Sequence, residues 1–130
     1  VRSIRKAVGP DFPISVKLSM DDCEPDGIRL EESIEVCKVL EKESVNLLNL
    51  VTATHATAYH SSGFYPWGYC ADMAGQVKAV VNIPVMVTGA IQSPEKAEEI
   101  LQKDQADFIG TARQELADPY WPKKAKEGHS

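Results

Sequence analysis

Residues 83–113 read IPVMVTGAIQSPEKAEEILQKDQADFIGTAR, and this stretch decides the fold. The apolar run at 83–88 is followed by Gly89, and the run at 106–110 ends in Gly110, which is typical of short strands followed by sharp turns. Between them, Ser93 and Pro94 mark a helix start, because a serine hydroxyl caps free backbone N–H groups and proline suits the first helical position. A strand, a helix and a second strand predict two parallel strands joined by a helical crossover.

The same alternation extends along the rest of the chain. Two further apolar runs predict strands upstream, and amphipathic spacing predicts helices between the strands. The predicted strands are 12–18, 46–51, 83–88 and 106–110, and the predicted helices are 1–8, 29–42, 73–81, 94–101, 113–117 and part of 120–127.

Four strands alternating with helices predict one α/β domain over residues 1–130 with a parallel sheet. Two architectures fit this pattern. The first is a TIM-type (β/α)₈ barrel of which the chain covers strands 5–8, because a complete barrel needs roughly 250 residues. The second is a flavodoxin-like doubly wound sheet, which is self-sufficient at this size. The pattern alone leaves both open.

Charge, hydropathy and cysteine content argue against several classes of protein and partner. The formal net charge is −5 and the basic residues are scattered, which argues against nucleic acid. No apolar run approaches the roughly 18 residues of a membrane span and no signal-peptide pattern begins the chain, so we expect a cytoplasmic protein without membrane contact. Three cysteines without a CxxC pair argue against a disulfide framework.

Two patterns imitate metal sites, and neither is complete. His55, His60 and Cys70 share one region, but their spacing fits no standard zinc site. Residues 22–27 resemble the start of a calcium loop, yet Ser33 stands at the twelfth position, where the bidentate glutamate belongs. We therefore expect no metal site.

The ends of the last two predicted strands have the composition of an anion site. Residues 88–90 read Thr-Gly-Ala and residues 110–113 read Gly-Thr-Ala-Arg, so each end has a glycine that lets backbone approach a ligand closely. Backbone N–H groups after a strand and at a helix start attract anions, and Arg113 adds a bidentate phosphate contact. The alternative is that both glycines are plain turn residues and Arg113 is a surface charge.

Several segments in this order resemble the old yellow enzyme-type flavoproteins. The resemblance is nearest to the NADH:flavin oxidoreductase and 2,4-dienoyl-CoA reductase branch, and it spans residues 1–128. The most specific segments come late in the chain. The matching segments are Val-Lys-Leu-Ser at 16–19, the helix that contains Glu-Glu at 31–32, Val-Met-Val-Thr-Gly-Ala-Ile at 85–91, Ser-Pro-Glu at 93–95, Ala-Glu at 97–98, Ala-Asp-Phe-Ile-Gly at 106–110, Ala-Arg at 112–113 and Leu-Ala-Asp-Pro at 116–119.

This resemblance implies the second half of an FMN-binding (β/α)₈ barrel and assigns cofactor contacts. Lys17 stands where the family has an arginine that neutralises charge on the reduced flavin. A lysine keeps the positive charge but lacks the planar guanidinium group with its paired N–H donors. The FMN phosphate contacts fall on Gly89, Ala90, Ala112 and Arg113.

The resemblance also implies a catalytic role for His55, because it matches a histidine that assists proton delivery beside the flavin in dienoyl-CoA reductases. Glu115, where the family has an apolar residue, places a carboxylate near the phosphate and is expected to weaken binding. The proton-donating tyrosine of the family lies in strands 1–4, so we expect this chain alone to be inactive.

The implied activity is transfer of hydride from NAD(P)H through FMN to an activated C=C bond of a small-molecule substrate. Larger members of the branch also carry a [4Fe–4S] cluster and FAD, for which this chain has no binding residues. Two alternatives stay open: a non-catalytic half-barrel or phosphate-binding module that self-associates, and a phosphate-binding barrel enzyme of sugar or cofactor biosynthesis.

Overall fold

The computed structural model describes residues 1–52 and 68–128. Helices and strands alternate along these residues as the sequence predicts. The helices are α1 (Arg2–Val8), α2 (Leu30–Lys42), α3 (Ala71–Lys78), α4 (Pro94–Gln102), α5 (Arg113–Ala117) and α6 (Trp121–Lys126), and the strands are β1 (Ser15–Ser19), β2 (Leu47–Val51), β3 (Val85–Thr88) and β4 (Phe108–Gly110). None of the described helices is long and apolar enough to cross a membrane.

The described strands form one parallel sheet in the sequential order β1-β2-β3-β4. A doubly wound sheet of the flavodoxin type reverses its strand order at a switch point. This sheet has no such reversal among the described strands, so it lacks the feature that defines the flavodoxin-like alternative. Sequential order is the arrangement of consecutive strands in a (β/α)₈ barrel.

Strand and helix boundaries differ slightly from the predicted ones. Strand β1 starts at Ser15 instead of residue 12, because proline at 13 has no N–H for the sheet ladder. Helix α3 ends at Lys78, three residues before the predicted end at residue 81. The start of α4 is confirmed: the Ser93 hydroxyl accepts a hydrogen bond from the Lys96 N–H at 3.2 Å, and Pro94 is its first residue.

The two faces of the sheet have different surroundings. One face carries Leu48, Leu50, Val85 and Val87, all fully buried. These residues belong to one hydrophobic core with side chains from three helices, namely Cys37, Ala74, Val77 and Ile100. The alternate residues point to the opposite face, since side chains along a strand alternate. That opposite face, called the open face below, is partly or fully exposed.

Asp107 ties the start of β4 to β3. Its backbone N–H donates to the Val85 carbonyl at 2.7 Å, and its carboxylate accepts from the Val85 N–H at 2.8 Å and from the Lys78 ammonium group. Partial burial opposes ionisation of Asp107, but Lys78 and the Val85 N–H outweigh it and hold the pKa of this carboxyl below its ordinary value. These bonds set the register in which Thr88 faces Gly110.

We predict that Asp107→Asn removes an acid-sensitive part of the stability. Because folding lowers the Asp107 pKa, its contribution is present above the unfolded-state value of about 4 and is lost as pH falls through the folded-state value. Urea unfolding should therefore show the variant less stable than wild type at pH 7, with the difference shrinking below about pH 4.

Asp104→Asn is the matched control, because Asp104 also pairs with Lys78 but is largely exposed and makes no hydrogen bond to β3. We expect a smaller loss in this variant. Equal losses for both variants at pH 7 would contradict the assigned role of Asp107.

Candidate functional site

The carboxyl ends of β3 and β4 line one small cavity of about 80 Å³. Residues 88–91 enclose it on the β3 side and residues 110–114 on the β4 side. The two glycine-bearing ends that the sequence singles out are therefore brought together. Gly89, Ala90, Ala112 and Arg113 all contribute to the lining.

Both glycines are required by the local geometry. Gly89 has φ of 152°, which side chains rarely allow, and a Cβ there would lie 2.5 Å from the Cys70 sulfur. A Cβ on Gly110 would overlap the Thr88 hydroxyl oxygen. Ala90 is held at a positive φ of 48°, an uncommon conformation for a residue with a side chain. Neighbouring protein atoms thus occupy the space that side chains at positions 89 and 110 would need, and close approach of this backbone to a ligand stays a prediction.

Unpaired donors and one cation surround the cavity. The backbone N–H groups of Ala90, Thr111 and Ala112 donate to no other described residue. Arg113 is exposed and makes no hydrogen bond or ion pair within the described ranges. The Glu115 carboxylate accepts a hydrogen bond from the Thr111 hydroxyl and does not line the cavity. The donors and the guanidinium group therefore favour an anionic ligand.

Cys70 packs behind this cavity and is buried. Its sulfur lies 3.1 Å from the Thr52 hydroxyl, and burial raises the pKa of the thiol. All three cysteines, Cys23, Cys37 and Cys70, are free thiols. Cys70 therefore acts as a neutral packing group that fits against a glycine at position 89.

Lys17 lies on the open face of β1 and is exposed. It does not line the cavity, since β2 and β3 separate its strand from β4. Neighbouring strands lie about 4.8 Å apart, so β1 is roughly 10 Å from β3. No hydrogen bond or ion pair joins Lys17 to another residue in the described part of the chain. Its charge is available to a ligand that crosses the open face.

Asn49 and Thr88 are polar residues of this face. The sequence analysis did not predict that they form a hydrogen bond with each other. The Thr88 hydroxyl donates to the Asn49 side-chain carbonyl oxygen at 3.1 Å. Asn49 is a polar residue inside the apolar run Leu-Leu-Asn-Leu-Val, which is the signal that sequence reasoning had available. His55, the predicted proton-relay residue, lies outside the described residues.

A larger groove of about 600 Å³ lies at the opposite end of the strands, beside α1 and the turn after α2. Its arginines are already used within the fold. Arg5 donates to the carbonyls of Gly9 and Ser44, and Arg2 pairs with Glu43. Ligands of parallel α/β sheets bind at the carboxyl ends of strands, so the smaller cavity is the candidate site.

A family comparison decides the relationship of the chain. The family described as NADH:flavin oxidoreductase / NADH oxidase matches residues 1–130. The chain belongs to this family. It therefore shares a flavin-dependent oxidoreductase ancestry, and the resemblance inferred from its motifs is confirmed.

Individual relatives of this NADH:flavin oxidoreductase chain are much longer. An NADH oxidase of Thermoanaerobacter brockii is 41% identical over 131 residues, covering 98% of this chain and 20% of the relative. A metal reductase of Desulforamulus reducens is 39% identical over 130 residues, covering 99% of this chain and 20% of the relative. The chain thus spans about a fifth of the length of these relatives.

A solved structure has the same fold over nearly the whole chain. A 2-naphthoyl-CoA reductase in complex with 2-naphthoyl-CoA superposes with a TM-score of 0.87 and 29% identity, covering 98% of this chain and 20% of that protein. The parallel α/β sheet described above is thus the arrangement found within a larger oxidoreductase.

We predict opposite effects for two glycine substitutions. Gly89→Ala should lower the free energy of unfolding by about 1–3 kcal/mol, because it forces a strained φ and drives a methyl group against Cys70. Gly75→Ala, in the middle of α3 with only ordinary contacts to Gln105, should raise it by about 0.5–1 kcal/mol. Chemical denaturation of both variants measures the difference, and a neutral Gly89→Ala would contradict the assigned constraint.

Proposed function

We propose that residues 1–130 form strands 5–8 of an FMN-binding (β/α)₈ barrel in a NAD(P)H-dependent oxidoreductase that reduces activated C=C bonds. The observation that carries this proposal is the cavity shared by the ends of β3 and β4, with its unpaired N–H groups and Arg113. Family membership and the sequential parallel sheet support it.

The cavity residues fit the phosphate of FMN. Gly89, Ala90 and Ala112 present backbone with little or no side chain, so phosphate oxygens can approach the N–H groups closely. Arg113 at the rim supplies a cation with planar, paired donors. Because Glu115 is bonded to Thr111, its carboxylate is held by a neighbour instead of projecting freely toward the anion.

The open face fits the flavin ring. When bound, FMN supplies the hydride chemistry, accepting from NAD(P)H and passing to an activated C=C bond of a small-molecule substrate. Lys17 stabilises the negative charge that reduction places on the pyrimidine part of the ring. We assign His55 to proton delivery, since an imidazole titrates near neutral pH. NADH or NADPH serves as the co-substrate.

In this proposal the rest of the barrel belongs to other segments of a longer protein. Phe108 on the open face is 50% exposed, and a parallel sheet normally has both faces covered. We propose that strands 1–4 cover this face and supply the proton-donating tyrosine, so that this chain alone is inactive. Any [4Fe–4S] cluster or FAD belongs to other parts of that protein, and a cytoplasmic location stays a prediction.

One observation favours a second candidate, a non-catalytic half-barrel that self-associates. In the described sheet, β1 and β4 each have one unpaired edge, and the open face between them is partly apolar. A second copy could pair with these edges as the missing strands would. Such an assembly would be a dimer whose stability does not depend on FMN.

We predict that the full-length protein is purified yellow and releases FMN on denaturation. Arg113→Met should raise the FMN dissociation constant about ten- to a hundredfold, because one charge-assisted contact contributes about 1.5–3 kcal/mol. Fluorescence titration of the apoprotein with FMN measures this change.

Arg2→Met is the matched control, since Arg2 is also exposed but lies at the amino ends of the strands. This variant should bind FMN as wild type does. A colourless protein without FMN affinity, forming a stable dimer of this chain, would replace the flavoenzyme proposal with the self-associating module.

Lys17 yields a separate prediction about redox potential. Lys17→Met should lower the midpoint potential of the bound flavin, because the charge created by reduction loses its nearby cation. Lys17→Arg should keep the potential close to that of wild type. Dye-equilibrated reductive titration measures both, and an unchanged potential in Lys17→Met would remove Lys17 from the flavin site.

A further inference from the structure

A row of four side chains crosses the open face of the sheet. The register places Lys17 beside Asn49, Asn49 beside Met86, and Met86 beside Phe108. Side chains of paired neighbours on one face stand about 5 Å apart. Asn49 is therefore the polar neighbour of Lys17 and lies between it and β3.

The Asn49 amide is fixed on its oxygen side only. Its carbonyl oxygen accepts the hydrogen bond from Thr88 at 3.1 Å. A side-chain amide also carries two N–H donors, and those of Asn49 reach no other described residue. Asn49 is half-buried on the face beside Lys17, so leaving these donors unused is costly unless a ligand or solvent accepts them.

Thr88 couples this amide to the cavity at the strand ends. Thr88 lines that cavity, and its hydroxyl oxygen occupies the space that a side chain at Gly110 would need. Donation by the hydroxyl to the amide oxygen holds the amide plane and leaves its N–H groups for another partner. Thr88, Asn49 and Lys17 thus lie on three adjacent strands, with a hydrogen bond between the first two and the register placing the third beside Asn49.

We propose that Asn49 is a further cofactor-binding residue, whose amide N–H₂ donates a hydrogen bond to the acceptor edge of the flavin pyrimidine ring beside Lys17. Thr88 is the positioning residue that orients this amide. The inference rests on the proposed FMN function and assigns a role to a residue outside the phosphate cavity. A neutral donor next to a cation suits a ring edge that has carbonyl acceptors and gains negative charge on reduction.

The test compares variants of the full-length protein that separate the amide from the hydroxyl. Thr88→Val removes the orienting hydroxyl, which also lines the cavity, and is therefore the reference for the double variant. It should weaken FMN binding less than about threefold, whereas Asn49→Leu combined with Thr88→Val should weaken it about tenfold, the effect of losing one hydrogen bond. The double variant should also lower the midpoint potential of the flavin. Replacing both partners by apolar groups of similar shape leaves no buried hydroxyl unpaired, so folding should be preserved.

Asn49→Asp is the second variant, because it keeps an oxygen for Thr88 but replaces the donor by a negative charge. It should weaken FMN binding and lower the midpoint potential further than the double variant. Asn82→Leu is the control, because it makes the same exchange at an exposed residue that precedes β3 and lies outside the open face, and it should alter neither quantity.

Three outcomes overturn the inference. If the double variant binds FMN within twofold of Thr88→Val with an unchanged potential, the Asn49 amide does not contact the flavin. If Asn49→Asp behaves as wild type, the same conclusion follows. If wild type itself binds no FMN, the proposed function fails and this inference fails with it, whereas normal wild-type binding with unaffected variants rejects the inference alone.

Discussion

The hydrogen bonds between Val85 and Asp107 fix which residues face each other across β3 and β4. A slip of one residue would move every side chain of β4 to the other face of the sheet. It would also move Gly110 away from Thr88, and another residue would then have to fit beside that hydroxyl. The cavity at the strand ends therefore depends on the hydrogen bonds between Val85 and Asp107, which lie three residues before Thr88 and Gly110.

The two faces of the sheet differ in burial and in polarity. The buried residues of β2 and β3, with those of the helices, form the hydrophobic core. The open face carries a cation, an amide and a hydroxyl at Lys17, Asn49 and Thr88 instead of a uniform apolar surface. Solvent reaches these groups in the described part of the chain, and a partner or ligand that covers them must satisfy their hydrogen bonds or the complex loses stability.

The chain belongs to the NADH:flavin oxidoreductase family, and the proposed function relates the polar residues of the open face to a bound flavin. In the proposed assignment the phosphate would be held at the ends of β3 and β4, and Thr88, Asn49 and Lys17 lie on β3, β2 and β1, in the direction from that cavity toward β1. The chain's relatives include proteins named for quite different acceptors, an NADH oxidase and a metal reductase. Such diversity fits a cofactor that supplies the reaction while surrounding loops select the substrate.

The sequence by itself determined the alternation of strands and helices, the capped start of α4 and the identity of both glycine-bearing strand ends, because these follow from local periodicity and turn chemistry. Its motifs also gave the family. The start of β1 was predicted three residues too early, because apolarity alone extends the strand to residue 12, whereas proline at 13 has no N–H for the sheet ladder. Only the tertiary structure decided the strand order and the register, because pairing joins residues that are far apart in the chain. For the same reason, the hydrogen bond between Asn49 and Thr88, 39 positions apart, was invisible to any local pattern.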